Sequence, residues 1–266
     1  MTRDMNRHLL LAGLLSAAAL AACDKNTVQQ LPLAPVPSAR IMFFNYGVGN
    51  PEPQVNFYAN ETKMTAVSSA TGTEATTGVA YGAVGNGGLY SALEPGQYSL
   101  TGRIAATTDK DLPIDTLNAT IADGKFYSFF LTGFYNTTTK KADAFIVEDP
   151  IPAPVDYTVA SVRLVHASPN ANPLTLYARL NGDTVTADWV AVGTAVAYKS
   201  AGAFATIAPG VYDLGARFTG ATANKFTVTG VSLIYGHVYT IGARGDTTVT
   251  STTATNRPIL SSTANW

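Results

Sequence analysis

The chain has 266 residues, of which 46% are hydrophobic and 13% are charged, and it contains one cysteine. A single cysteine excludes an internal disulfide and any cysteine-cluster metal site. Lysine and arginine number 17 against 18 aspartates and glutamates, so the chain lacks the basic field that attracts nucleic acid, and we expect no nucleic-acid partner. The apolar fraction is too high for a disordered chain, and the length suits one large domain or two of common size.

The first 23 residues have the pattern of an export signal. Two arginines precede an apolar run that is too short to span a bilayer comfortably. The run ends in Leu20-Ala21-Ala22-Cys23, which resembles the lipobox of bacterial lipoproteins. In that family the chain is cut before the cysteine, which then carries a diacylglycerol and a further acyl chain such as palmitate. The resemblance implies a signal peptide over residues 1–22, cleavage between Ala22 and Cys23, and lipidation of Cys23. An ordinary secretory signal with an incidental cysteine is the alternative.

Residues 23–38 are predicted to be a lipidated amino terminus followed by a linker. Three prolines and little apolar periodicity in this stretch are typical of an extended, semi-rigid tether. Two or more acyl chains anchor a protein stably, at roughly 0.8 kcal/mol per buried CH₂. We therefore expect a membrane partner through the N-terminal lipid and a location in the bacterial cell envelope. The choice between inner and outer membrane, and between periplasm and cell surface, stays open.

The rest of the chain repeats itself with an offset of roughly 115 residues. The alignment places Ala39–Phe43 against Val162–His166, and it places Val79-Ala80-Tyr81 against Val196-Ala197-Tyr198. Two copies of one unit, each large enough to bury its own core, are therefore predicted.

The repeated segments are predicted to be β-strands. Residues 97–104 alternate, with Tyr98 and Leu100 on one face and Gln97 and Ser99 on the other, which is the period of a half-buried strand. Asn181-Gly182 predicts a tight hairpin turn between strands over 174–179 and 184–186. Long helical periodicity is absent outside the leader.

The fold class is therefore predicted to be all-β, with two tandem antiparallel immunoglobulin-like β-sandwiches. The first sandwich is predicted over residues 39–149, and the second over 159–266 with a C-terminal tail. A proline-rich linker over 150–158 separates them, because its prolines do not suit a central strand.

Four segments of the second copy carry a family resemblance. Val162–Ala171, Leu174–Tyr177, Ala208–Tyr212 and Gly236–Ile241 together resemble the bacterial domain-of-unknown-function family DUF4397. The resemblance covers about residues 39–250 and is weaker in the first copy, where a Phe-Phe-Asn-Tyr sequence and a longer loop replace the corresponding residues. It implies exported or surface proteins with tandem immunoglobulin-like sandwiches, and it implies no catalytic residues.

The histidines are the candidate catalytic residues to consider first in this chain. His166 and His237 are the two histidines outside the leader, and Ser168 lies close to His166 in sequence. No nucleophile elbow and no oxyanion-type glycine motif accompany this pair. We interpret the segment after His166 as the end of a strand whose side chains bond loop amides. No catalytic residue, no cofactor and no enzymatic activity are predicted.

Two loops, Gly47–Pro53 and Thr107–Asp115, differ most between the copies and are the candidate ligand surfaces. Aspartates of the second loop offer carboxylates of the kind calcium binds. Their spacing lacks the glycine turn and the terminal glutamate of an EF-hand, so a solvated loop without a metal is predicted. The candidate ligand residues of the two loops are Asn50, Glu52, Asp109, Asp111 and Asp115.

These features predict a non-catalytic cell-envelope lipoprotein that presents two β-sandwich modules for binding or scaffolding. A glycan or an envelope protein is the expected type of partner. The aromatic segment 126–135 is expected to pack in the core or between domains, and an exposed sugar-stacking surface is the alternative. A polysaccharide-binding protein, a carbohydrate-active enzyme and a spacer without ligand are the alternative functions. An enzyme would need titratable groups that converge in a cleft.

Overall fold

Short apolar segments, separated by glycine, asparagine and proline turns, form strands along the described chain. The structure, a computed structural model, describes residues 38–49, 52–65, 77–153, 155–183 and 189–265. These residues belong to one compact unit, 37–266; a second unit, 1–36, lies outside the described residues. The described ranges contain no α-helix, and a 3-10 turn occurs at Gly85–Gly88. None of their helical segments has the length and apolar character to cross a membrane.

Eight strands of the first half form two sheets that pack face to face. One sheet has the order β4-β1-β7-β8 and the other β3-β2-β5-β6, and their facing side chains share one apolar core. The strands are β1 (Ala39–Asn45), β2 (Val55–Ala59), β3 (Thr62–Lys63), β4 (Ser91–Leu93), β5 (Gly96–Ile104), β6 (Pro113–Ile121), β7 (Phe126–Asn136) and β8 (Lys141–Glu148).

Nine strands of the second half form a second sandwich with its own core. Its sheets have the orders β12-β9-β16-β17, with β13 also paired to β9, and β11-β10-β14-β15. The strands are β9 (Ala160–His166), β10 (Leu174–Leu180), β11 (Val190–Val196), β12 (Ser200–Ala201), β13 (Ala205–Ile207), β14 (Gly210–Phe218), β15 (Phe226–Leu233), β16 (Val238–Arg244) and β17 (Ile259–Ala264).

The all-β sandwich class predicted from the sequence is confirmed, with one addition in strand direction. The ladders β1–β7 and β9–β16 run parallel, while the other ladders are antiparallel. Alternation within a strand reports which face is buried but not the direction of its neighbour, so the sequence did not predict these parallel pairs. The turn at Asn181-Gly182 forms, since Asp183 N donates to Leu180 O (3.2 Å). The predicted strand over 184–186 lies outside the described residues, and β11, which pairs with β10, covers Val190–Val196.

The ladder registers correct the predicted alignment of the two halves by two residues. Ile41 pairs with Tyr127 in the first half, and Val162 pairs with Tyr239 in the second. Ile41 is therefore equivalent to Val162, and the residue equivalent to His166 is Asn45 rather than Phe43. The sequence alignment matched apolar letters, and a shift of two residues preserves the buried face of a strand.

A tyrosine near the start of each parallel strand binds back onto its own turn. Tyr127 Oη accepts a hydrogen bond from Ala122 N (3.1 Å), and Tyr239 Oη accepts one from Ile234 N (3.1 Å). Each hydroxyl satisfies a turn amide while its ring packs in the core. The same contact at the same spacing therefore stabilises the corresponding turn in both halves.

The two sandwiches pack on each other through the outer faces of their parallel strands. Met42, Phe44, Tyr46 and Phe130 of the first half form one buried cluster with Val165 and other residues of the second. The rings of Phe44 and Phe130 stack with centroids 4.3 Å apart. The sheet that contains β1 and the sheet that contains β9 are thus both apolar on their two faces. The four sheets form one layered body.

A closed ring of buried polar groups joins the two sandwiches beside this cluster. Arg163 of β9 forms an ion pair with Asp149, which follows β8, and both side chains are almost fully buried. Arg163 Nε donates to Thr240 Oγ1 (3.1 Å), and Thr240 donates to Asn265 Oδ1 (2.7 Å). Asn265 Nδ2 donates to Tyr90 Oη (2.8 Å), which donates to Asp149 Oδ2 (2.7 Å). Burial and the Asp149 charge raise the pKa of Tyr90, so its hydroxyl keeps the proton that it donates.

The layered body has two different ends. Ser38 lies beside the β6–β7 turn, where Gly124 N donates to Ser38 Oγ (3.1 Å), and we name this the Ser38 end. Both β1 and β9 run away from it, toward the contact between Thr132 Oγ1 and Ala167 O (2.7 Å). The opposite end, named the loop end, holds the described segments 46–49, 52–54, 77–83, 105–112, 137–140, 167–173, 197–199, 219–225 and 245–258.

Candidate functional site

A buried polar side chain at the end of β1 anchors the first candidate loop. Asn45 Oδ1 accepts a hydrogen bond from Gly47 N (3.3 Å), and Asn45 Nδ2 donates to Pro53 O (2.9 Å) and to Val79 O (2.9 Å). One amide therefore closes both ends of the loop 47–53 and ties it to the neighbouring segment.

The equivalent position in the second sandwich is His166, whose imidazole makes two corresponding contacts, one with the amide two residues later and one with a carbonyl farther along the loop. His166 Nδ1 accepts a hydrogen bond from Ser168 N (3.3 Å) and Nε2 lies 3.2 Å from Asn172 O. Because Nδ1 accepts, the ring carries its proton on Nε2 and donates it to that carbonyl. Burial lowers the pKa of His166 below its ordinary value of 6.5. Ser168 Oγ donates to Gly245 O (2.6 Å), so both side chains bind main-chain groups and are not arranged as nucleophile and base.

Replacing His166 by Asn should preserve the second sandwich, because Asn45 performs the same role in the first. At pH 7.5 we expect His166→Asn to change the free energy of unfolding by less than about 1 kcal/mol, and His166→Ala to lower it by about 2 kcal/mol. Urea unfolding followed by circular dichroism measures both. Equal losses for the two variants would contradict the role in holding the loop.

Glu52 is the candidate ligand residue that bridges the two sandwiches. Its carboxylate accepts a hydrogen bond from Thr255 Oγ1 (2.7 Å) in the 245–258 segment of the second half. Asn50, its predicted neighbour in the site, lies outside the described residues. The loops of both halves therefore meet at the loop end, which the sequence did not predict.

Arg244 reinforces this meeting of loops at the seam between the halves. Its guanidinium carbon lies 4.8 Å from the ring centroid of Tyr81 and 5.7 Å from that of Tyr46. Arg244 Nε also donates to Ser261 Oγ (2.9 Å). A Cβ atom at Gly82 would lie 2.6 Å from the guanidinium carbon, so only glycine allows the main chain to approach this closely. Burial raises the pKa of Tyr46 to about 12.

The predicted aspartates of the 107–115 loop do not converge on one point. Asp109 forms an ion pair with Lys140 (3.0 Å), while Asp111 accepts a hydrogen bond from Tyr58 Oη (3.4 Å). Asp115 lies within β6. Across the described ranges, no group of three histidine, cysteine, aspartate or glutamate side chains is arranged to hold a metal ion.

Asp115 has the most perturbed carboxyl group near the loop end. Partial burial raises its pKa from 3.8 to about 6; the Thr116 backbone N–H opposes this, and the charge of Asp143 adds to it. Asp143 in turn forms an ion pair with Lys199 of the second sandwich. Asp115 therefore lies beside an ionic contact between the halves, and its own charge destabilises the folded state at neutral pH.

Asp115→Asn should stabilise the protein at pH 7 and change its pH dependence. A carboxyl whose pKa is raised on folding stabilises the protein where it is protonated, and this stability is lost as pH rises from about 4 to about 6. We expect Asp115→Asn to gain about 1 kcal/mol at pH 7, since solvent screens a partly exposed group. Thermal unfolding from pH 4 to pH 8 measures the difference. His166 has the opposite effect, because its pKa is lowered on folding. Its neutral form stabilises the folded protein, and this contribution is lost as pH falls below about 6.5. His166→Asn should therefore weaken the fall in the free energy of unfolding at acidic pH.

The aromatic segment 126–135 is mostly buried, as the packing interpretation predicted. Phe129 lies in the first core and Phe130 in the cluster between the sandwiches, whereas Phe134 is 49% exposed.

An unpredicted pairing occurs on the outer sheets, where Arg103 lies over Tyr58 (4.2 Å) and Arg217 over Tyr177 (4.1 Å). In the ladder registers these two pairs occupy equivalent positions. In each half, an arginine therefore covers one face of the tyrosine at this position.

Comparison with known proteins identifies one family over about half of the chain. Residues 48–177 match the model of a family described as a domain of unknown function, DUF4397. No curated protein matches this chain. A crystal structure from Bacteroides ovatus ATCC 8483, of a protein described as a "putative cell adhesion protein", is 12% identical, with 88% of this chain and 97% of that chain covered and a TM-score of 0.22. That score is too low to carry an argument. The family match supports a DUF4397 domain that spans most of the first sandwich and reaches the first two strands of the second.

Proposed function

We propose that this chain is a non-catalytic, lipid-anchored protein of the bacterial cell envelope whose two DUF4397-type sandwiches, related as tandem repeats, present a binding surface at the loop end. The observation that carries the proposal is the position of Ser38 and of the loops at opposite ends of one layered body. A strand of 11 residues such as β7 is about 35 Å long at roughly 3.3 Å per residue. An anchor at Cys23 would therefore join the body at the end opposite the loops.

The contacts between the sandwiches support presentation by a rigid body. Glu52 and Arg244 join loops from different halves, and the Arg163–Asp149 ion pair joins the halves near the other end. Binding loops work best on a scaffold that holds them in place. The expected partner is a glycan or an envelope protein.

The lipid anchor is tested by replacing Cys23, the residue whose sulfur atom would carry the lipid. Cys23→Ala should move the protein from the membrane fraction to the soluble fraction and abolish labelling by a palmitate analogue, because no acyl chain can then be attached. Lys25→Ala, two residues after the anchor, should behave as the wild type. Membrane association that survives Cys23→Ala would contradict the lipid anchor.

The binding surface is tested with paired charge variants of the full chain. A variant with alanine at Asn50, Glu52, Asp109 and Asp111 should lose glycan-array or cross-linking signals given by the wild type. A control with alanine at Glu94 and Asp123, which lie toward the Ser38 end, should keep them. Identical signals from both variants would favour a spacer role and contradict presentation at the loop end.

A further inference from the structure

The Ser38 end of the second sandwich exposes a group of large apolar and aromatic side chains. Nine large apolar side chains are exposed among the described residues, and six of them lie at this end. We name these six the apolar patch: Tyr157 (73% exposed), Val190 (67%), Tyr235 (61%), Leu180 (55%), Val211 (45%) and Ile234 (45%).

Strand pairing brings the members of the apolar patch together. Asn181 N, next to Leu180, donates to Val211 O (2.9 Å), and Gly210 pairs with Leu233, next to Ile234. The ring of Tyr157 packs so closely on Gly236 that a Cβ atom there would lie 2.7 Å from it. The six side chains therefore lie at neighbouring strand ends and turns at this end of the body, where exposed apolar side chains favour an interaction.

A cavity of about 450 Å³ opens at the same end, on the connection between the sandwiches. Its apolar lining includes Phe126, Ile151, Val155 and two prolines. On its rim, Lys125 and Glu148 form an exposed ion pair (2.8 Å). The Ser38 end thus combines apolar surface with a neutralised charge pair.

We propose that the apolar patch docks on the bilayer to which Cys23 is anchored, so that the body stands on the membrane on this end; the inference rests on the proposed lipid anchor. Fourteen residues separate Cys23 from Ser38, and this stretch reaches at most about 50 Å. An anchor at that distance holds the patch at high local concentration near the bilayer, so a weak contact suffices. Tyrosine rings suit the membrane interface because one end is apolar and the other is hydrated.

The charges at this end favour a zwitterionic surface as the partner. Asp123, in the β6–β7 turn, and Asp156, shortly before β9, are further carboxylates at the Ser38 end, so attraction to anionic lipid is not the driving force. Burial of the aliphatic and aromatic side chains in the interface supplies the affinity. Docking through this patch orients the loop end toward the solvent.

The experiment uses the acylated full chain in vesicles of phosphatidylethanolamine and phosphatidylcholine. Because acylation occupies the single native cysteine, a new cysteine at Tyr157→Cys or Tyr235→Cys accepts one fluorescent label. Phe134→Cys, on the exposed part of β7 at the loop end, is the matched control. Quenching by lipids that carry a spin label at the interface should be at least threefold stronger at positions 157 and 235 than at 134.

The outcomes separate the docking proposal from the anchor on which it rests. If the protein floats with the vesicles but all three positions are quenched equally weakly, the anchor stands and docking is overturned. If the protein does not float, the anchor itself fails and the docking proposal falls with it. Energy transfer between differently labelled molecules at position 235, without lipid quenching, would mean that the patch binds a second copy and would also overturn docking.

Discussion

Arg163→Met should lower the free energy of unfolding by about 3–5 kcal/mol, because it leaves the Asp149 carboxylate buried without its ion-pair partner. Asp149 keeps hydrogen bonds from Ser128 Oγ (2.7 Å) and Tyr90 Oη (2.7 Å), but neither carries a charge. Methionine is the natural replacement, since the ladder registers place Met42 at the equivalent position of the first half. Urea unfolding at neutral pH measures the loss.

Two variants control this result. Adding Asp149→Asn to Arg163→Met removes the unpaired charge and should recover about half of the lost stability. Lys125→Met breaks the exposed pair with Glu148 and should leave the free energy of unfolding nearly unchanged, because solvent screens this pair. If Arg163→Met cost no more than Lys125→Met, the buried ring would not be what couples the sandwiches.

Phe130→Ala should cost about 3–5 kcal/mol and should loosen the contact between the sandwiches. Phe130 stacks on Phe44 (4.3 Å) and on Phe145 (5.0 Å), and its ring lies 5.7 Å from that of Tyr46. Removing the ring leaves a cavity at the centre of the interface rather than inside either core. Unfolding curves together with hydrogen exchange of β9 should show the loss and the exposure of that strand.

Phe134→Ala is the matched control, since it removes the same side chain from the same strand at an exposed position. A change within about 0.5 kcal/mol is expected there. If the two alanine variants were equally stable, the interface cluster would not hold the halves together, and rigid presentation of the loops would lose its support.

The strands were predictable where one face of each is buried. Residues 97–104 alternate in sequence, and β5 covers this stretch, because half-buried strands must alternate to separate core from solvent. The central strands were harder to align and to assign to a face from the sequence. β1 is apolar on both faces, so the alternation of apolar and polar residues disappears there. The two-residue error in the alignment arose in this strand, and it hid the equivalence of Asn45 and His166.

The candidate loops were predictable only as positions along the chain. Sequence identified Glu52 and Asp109 as residues of copy-specific loops, but it could not pair Glu52 with Thr255 or Asp109 with Lys140. Those contacts join segments distant in sequence, and no local periodicity encodes them. Arg163 and Arg244 were missed for the same reason, although a charged residue within an apolar strand such as β9 was the available signal.

By itself the sequence determined the all-β class, the approximate strands and the polar loops, because each depends on neighbouring residues and on the two-residue period of a strand. Only the tertiary structure decided that the two sandwiches pack through a buried ion pair and an aromatic cluster. It also decided which loops share an end and which apolar side chains stay exposed. Burial and pairing are properties of surfaces that meet in space, so they become visible only when distant strands are brought together.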